Sequence, residues 1–253
     1  LINFNSYENN MKFIYNTINH IENVIYDLSM FDKINKLKQN GYEPDVIFDI
    51  GAYHGNWTNS MLNIYNNSKY YLFEAIDYKE LNKFHSNGKI KKFNVVLNEH
   101  VADVDWYEMK NTGDSMFREK THFFDNCNIL KKQTIDLDSL SKKEDLIDFE
   151  KDKKIFIKID CQGAEIPILK GASGILQNTD FVLLEIPLFG QYNEGVPNFL
   201  EHIQYMNSIG FVPYDIVENH YINNFNMQVD FLFINKNHQF NVNVNSYVKY
   251  KYD

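Results

Sequence analysis

The 253-residue chain is 44% hydrophobic and 23% charged, a balance that supports a packed core and excludes a disordered chain as the default. With 34 acidic against 25 basic residues its net charge is −9, so a phosphate polyanion meets overall repulsion and nucleic acid is excluded as the expected substrate. The two cysteines, Cys127 and Cys161, lack the short paired spacing of a zinc or redox motif and fit a reducing, cytoplasmic setting.

In chain order, Ile14, Ile18, Ile21, Val24, Ile25 and Leu28 recur at helical spacing, and Ile34 and Leu37 continue the pattern to Gly41. This predicts a leading helical segment over about residues 8–40, within an N-terminal region of residues 1–42. Val46-Ile47-Phe48-Asp49-Ile50, bounded by Pro44 and Gly51, reads as a buried strand, followed by a helix from about Thr58 to Tyr65. Tyr70 to Glu74 is a second strand, Tyr78 to Phe84 a second helix and Phe93 to Leu97 a third strand. Such alternation predicts an α/β fold, a mostly parallel sheet with helices on both faces.

Residues 100–150 break the rhythm and read as an insertion or lid: Val104 to Glu108 alternates like an exposed strand, and Thr134 to Leu140 leads into polar sequence. Regular α/β resumes with strand Ile155 to Asp160, helix Ala164 to Leu176, strand Phe181 to Ile186 and helix Val196 to Ile209. Phe211 to Val217 and Val229 to Ile234 alternate around a polar loop and predict a closing antiparallel hairpin. The main domain is thus expected over 43–237, with a polar tail over 238–253. No apolar run approaches the roughly 20 residues that span a bilayer.

A strand ending at Asp49 and feeding Gly51 and Gly55 into a helix is a tight turn whose backbone can approach a ligand. Glu74 ends the next strand, where Rossmann-like folds place a carboxylate on ribose hydroxyls. Tyr53 stands at the middle glycine of a dinucleotide fingerprint, which tilts the reading from a pyrophosphate cofactor toward a sulfonium amino acid whose ammonium Asp49 would receive. Lys158 and Asp160, two apart on a central strand, share one face, and Asp160 ends the strand beside the cofactor half. Either they carry chemistry or they form a structural ion pair. Asp136 or Asp138 would join Asp160 in a metal site only if the insertion folds inward. His54 reads as a wall of the pocket, Trp57, Trp106 and Tyr107 as packing residues or stacking faces, and His100, His122 and His220 as surface residues without partner spacing.

Phe48-Asp49-Ile50-Gly51-Ala52 with Gly55, Phe73-Glu74, Thr112-Gly113-Asp114-Ser115, Thr134 to Leu140, Lys158-Ile159-Asp160-Cys161-Gln162-Gly163-Ala164-Glu165, Leu169-Lys170-Gly171-Ala172 and Leu183-Leu184-Glu185 together resemble the FkbM family of methyltransferases. The resemblance covers about residues 45–190, and its most specific piece is the block around Asp160. It implies a seven-stranded Rossmann-like fold, S-adenosylmethionine as cofactor, and O-methylation of a hydroxyl on a sugar, glycan or other small metabolite. Asp49, Gly51, Ala52, Tyr53, His54, Gly55, Asn56, Glu74, Ala75, Val96, Leu97, Ser115 and Asp160 are expected at the cofactor; Asp160, which ends the strand beside the cofactor half, is the first catalytic candidate, with Glu165 and Glu185 behind it, and no metal is assigned. Tyr53-His54, where the family often carries Asn, and Ala75, where proline is common, depart from the pattern. Two other readings stand beside it: an NAD-dependent oxidoreductase, which Tyr53 and the absence of a hydride-transfer signature disfavour, and a non-catalytic S-adenosylmethionine-binding module.

Overall fold

A computed structural model describes residues 28–148, 153–188 and 192–241. Most of the expected leading helix and of the polar tail at 238–253 lies outside the described residues. Within them the helical pattern yields α1 (Met30–Gln39), started by a reciprocal cap between Ser29 and Asp32 and packed through Ile34 and Leu37.

The main sheet holds β1 (Val46–Ile50), β2 (Lys69–Glu74), β3 (Ile90–Asn94), β7 (Ile155–Ile159), β8 (Thr179–Pro187), β9 (Phe211–Ile222) and β10 (Phe225–Asn235). Between them run a small second sheet of β4 (Val96–Leu97), β5 (Asp103–Glu108) and β6 (Asn128–Ile135), and helices α2 (Asn56–Ile64), α3 (Leu137–Lys143), α4 (Glu165–Lys170) and α5 (Phe199–Ser208). The main sheet runs in the order β3-β2-β1-β7-β8-β10-β9, with all neighbours parallel except at β10. This is the doubly wound, Rossmann-like arrangement with one antiparallel strand inserted before the edge. Strand order reverses between β1 and β7, so a crevice forms at their carboxyl ends.

Alternate residues of the central strands feed two cores. Phe48, Ile50, Ile157 and Ile159 pack with Leu137, Leu140, Leu169 and Met206 on one face, while Ile47, Leu72, Phe156 and Leu183 pack with Ile34, Leu37, Met61 and Ile64 on the other. Helices therefore cover both faces, as expected. The same alternation puts Asp49 and Lys158 on the α1–α2 face, directly opposite one another in parallel register.

Several element boundaries differ from expectation, each for a local reason. The third strand divides: Ile90–Asn94 pairs with β2, and Val96–Leu97 leaves the main sheet to pair with β6. The expected insertion divides too, because β5 and β6 form the small sheet whereas α3 buries Leu137 and Leu140 in the main core. The helix expected to run to Leu176 stops at Lys170, since the Asp138 carboxylate accepts from the Gly174 and Ile175 amides and holds a separate turn there. Tyr78 to Phe84 closes as a 3₁₀ turn over Lys79–Phe84. Asn223 and Asn224, at φ 49° and 67°, make the tight turn that lets both hairpin strands run longer than their alternation suggested. No helix among the described residues is long and apolar enough to cross a membrane.

Candidate active site

At the crevice the β1 and β7 turns touch. Gly51 has φ +74°, and a Cβ there would sit 1.9 Å from the Asp160 carbonyl oxygen. Only glycine lets these turns meet. Gly55, at φ +72°, opens α2 and lies under Phe84, whose ring a Cβ would strike at 2.5 Å.

Lys158 ties the crevice together. Its Nζ donates to the Gly51 carbonyl at 2.7 Å and lies 3.3 Å from Asp49 Oδ1 and 3.5 Å from Asp160 Oδ2. Burial acts to lower its pKa, but the Asp49 and Asp160 carboxylates override it and hold the ammonium charged. Asp49 is fully buried and takes a 2.5 Å hydrogen bond from Thr58 Oγ1. Its carboxyl is pushed up by burial and pulled back by Lys158 and Thr58. Asp49 is thus enclosed by Lys158 and Thr58 and does not face the cavity, which departs from its expected part as receiver of a ligand ammonium.

Two cavities meet at this point. The first runs from Gly51, Asp160, Cys161 and Gln162 past Tyr53 and Glu74 to Val95, Val96, Leu97 and Trp106, and is bordered by Asn111 to Met116 of the expected insertion. Glu74 accepts from the Tyr53 amide at 2.7 Å and the Ile76 amide at 3.0 Å, leaving each oxygen further capacity toward the cavity. Burial raises its pKa against those two bonds. Ser115 spans the gap to the β7 turn, donating to the carbonyls of Cys161 and Gln162 at 3.3 and 3.1 Å.

The second cavity opens on the α1–α2 face and is lined by Phe31, Asn56, Trp57, Lys158, Asp160, Glu185, Glu218, His220 and Asp230, among others. Of these, Asp160 also borders the first cavity. Glu185 Oε2 is held by the amides of Gln162 at 2.6 Å and Gln228 at 3.0 Å, and burial with the nearby Asp160 and Asp230 charges pushes its carboxyl well up.

Of the residues expected at the cofactor, Gly51, Tyr53, Glu74, Ala75, Val96, Leu97, Ser115 and Asp160 line the first cavity. Ala52 and Gly55 shape the turn behind it, Asn56 faces the second cavity, and His54 stacks on Tyr53 at 3.7 Å outside both linings. Asp136 caps α3 through the Ser139 amide and Asp138 caps the 174–175 turn, so neither joins Asp160. His220, read as a surface residue, instead lies 2.7 Å from Asp230 Oδ2 in the second cavity. The missed signal was Glu218-Asn219-His220, a spacing of two that puts both side chains on one strand face.

The sequence matches the Methyltransferase FkbM domain over residues 49–213, well over half of the 253-residue chain. The chain belongs to the FkbM methyltransferase family. Membership sets the oxidoreductase reading aside. The matched span begins at Asp49 and includes every residue of the first cavity. Among solved structures, this FkbM chain is similar to a methyltransferase FkbM from Methylobacillus flagellatus KT at 15% identity and TM-score 0.45, over 74% of this chain and 43% of that one. It therefore spans less than half the length of that protein. It is also similar to a Burkholderia thailandensis 1,6-didemethyltoxoflavin-N1-methyltransferase (9% identity, TM-score 0.45, covering 93% and 91%). A third is an S-adenosylmethionine-dependent methyltransferase from Clostridium acetobutylicum ATCC 824 (10%, TM-score 0.43, covering 87% and 98%). A comparison with curated proteins returns no match.

Glu165 sits behind the β7 turn of this FkbM domain rather than in either of the two cavities. Its Oε1 accepts from the Cys161 amide at 2.9 Å, and its Oε2 lies 4.0 Å from His202 Nε2, both side chains being 1% exposed. Burial raises the carboxyl from 4.5 to about 7, so Glu165 holds its proton in mildly acidic solution, and burial also lowers the His202 imidazole. Because the folded state keeps a proton on Glu165 that the unfolded state releases, this group makes stability fall as pH rises from 4.5 to about 7. Glu165→Gln is expected to flatten that slope, as measured by urea unfolding across the window. An unchanged slope would mean that Glu165 ionises freely in the fold.

Proposed function

We propose that the chain is an S-adenosylmethionine-dependent O-methyltransferase, with the cofactor in the first cavity and a hydroxylated small molecule or glycan in the second. The observation that carries this reading is that Asp160 borders both spaces. The donors present suit the cofactor. The two partly used oxygens of Glu74 would take ribose hydroxyls, Val95, Val96 and Leu97 offer apolar walls for adenine, and Gly51 leaves backbone uncovered beside Asp160. Tyr53 at the position of a dinucleotide glycine supports a cofactor without a pyrophosphate.

When bound, S-adenosylmethionine supplies an electrophilic methyl group on a sulfonium. The protein's part is to align the acceptor and remove its proton. Asp160, a partly exposed carboxylate held by Lys158 at the junction, is positioned to accept a hydroxyl proton. The second cavity combines carboxylate acceptors with Trp57 and Phe31, the mixture that binds hydroxyls along one edge and a sugar's C–H face on another. Its acidity disfavours phosphate-bearing acceptors and supports neutral ones.

The test has two stages. S-adenosylhomocysteine, but not NAD, is expected to raise the melting temperature, since a ligand of the folded state alone stabilises it. A panel of free and nucleotide-linked sugars is then screened by product mass, with methylated neutral sugars expected. Stabilisation by NAD alone would overturn the cofactor, and transfer only to amines would overturn the hydroxyl acceptor.

A further inference from the structure

The second cavity holds a side-chain set that methyl transfer does not require. Glu218 and His220 are two apart on β9 and share a face, and the hairpin register sets Asp230 of β10 directly opposite Glu218. Three potential ligand atoms, one from each residue, lie within 4.8 Å of one another. His220 Nε2 is 2.7 Å from Asp230 Oδ2. Asp230 is only 8% exposed, and among the described residues no hydrogen bond other than that from His220 reaches its side chain. None reaches the Glu218 carboxylate, which stands at the mouth of the same cavity.

The charge around this group is unbalanced. Asp160, Glu185, Glu218 and Asp230 all border the cavity, and Lys158 is the one lysine or arginine in its lining among the described residues. That ammonium is already engaged by Asp49, Asp160 and the Gly51 carbonyl. Asp230 is buried among these carboxylates with one hydrogen bond, so a cation in this space would relieve a cost the fold already bears.

We propose that Glu218, His220 and Asp230 form a binding site for one divalent first-row metal ion at the wall of the second cavity. One imidazole nitrogen with two carboxylates is a mixed donor set, which suits Mn²⁺ or Zn²⁺ better than Mg²⁺ or Ca²⁺. A rigid two-stranded platform supplies all three ligands from one face. Three protein ligands leave coordination positions directed into the cavity, where oxygen atoms of a small molecule would complete the shell. The site stands on the hairpin geometry and does not depend on which group the enzyme methylates.

The test uses the full chain stripped with a chelator and titrated calorimetrically with MnCl₂, and separately with ZnCl₂, without cofactor. One equivalent of at least one of these ions is expected to bind, with Glu218→Gln and His220→Ala each weakening binding at least about tenfold, as loss of a ligand does. Glu218 is exposed, so its variant tests the site without threatening the fold, and melting curves report on both variants. No saturable binding below millimolar concentration, or binding undiminished in both variants, would overturn the site. S-adenosylhomocysteine binding is measured in parallel, so failure of the metal site and failure of the methyltransferase reading give different results.

Discussion

Lys158→Ala is expected to lower the unfolding free energy by about 3–5 kcal/mol near neutral pH, the usual cost of leaving a buried charge without its partner. Asp49 is the charge left behind: it is fully buried, and apart from Lys158 its hydrogen bond comes from Thr58. Burial already pushes its carboxyl up in the intact protein, and losing Lys158 pushes it further in the same direction. The variant's folded state therefore keeps a proton on Asp49 that the unfolded state releases. Its stability falls as pH rises through that window, so the deficit against the parent protein is widest at neutral pH and narrows on acidification. Urea unfolding at several pH values measures both the deficit and its slope. Adding Asp49→Asn removes the stranded charge and is expected to recover a substantial part of the loss, because neighbours sharing one interaction are not additive. A single variant losing under about 1 kcal/mol would show that Asp49 finds other compensation.

Asp160→Asn is expected to reduce methyl transfer by roughly 10²–10⁴-fold, the range for removing a positioned general base. Asparagine preserves shape and can still receive Lys158, so the fold and the Gly51 contact remain. S-adenosylhomocysteine affinity should change far less than turnover, and the loss should shrink as pH rises if the acceptor can ionise without help. Isothermal titration and initial-rate measurements across pH separate the two effects. Turnover equal to that of the parent would remove Asp160 from proton transfer and leave it a holder of Lys158.

The positions of the central strands along the chain were readable because each is a short apolar run ended by a turn or a charge, as in Val46 to Ile50 and Ile155 to Ile159. Period-two alternation also foretold that Lys158 and Asp160 share a face. It did not show that parallel register sets Asp49 opposite Lys158, because register is a relation between segments 109 residues apart that no local pattern encodes. For that reason Asp49 read as a ligand-facing acid and proved to be enclosed. The insertion was hardest to read: β4 is two residues long and joins a strand far along the chain, so its signal merges with that of β3. His220 and Asp230 escaped notice for a similar reason, since their proximity comes from hairpin pairing and not from spacing along one element.

The contact between Gly51 and the Asp160 carbonyl has a bearing on how ligands enter and leave. Parting the two turns would break the Lys158 bond to Gly51 together with the Asp160 amide bond to Ile50, within a buried ion network. Such a doorway would be slow. The opposite rim is built from Asn111 to Met116, and its hydrogen bonds to the β7 turn come from the single hydroxyl of Ser115. On the proposed reading, a cofactor in the first cavity leaves most easily through that rim, so its departure rate is set by residues 111–116 and is separable from the proton transfer proposed for Asp160.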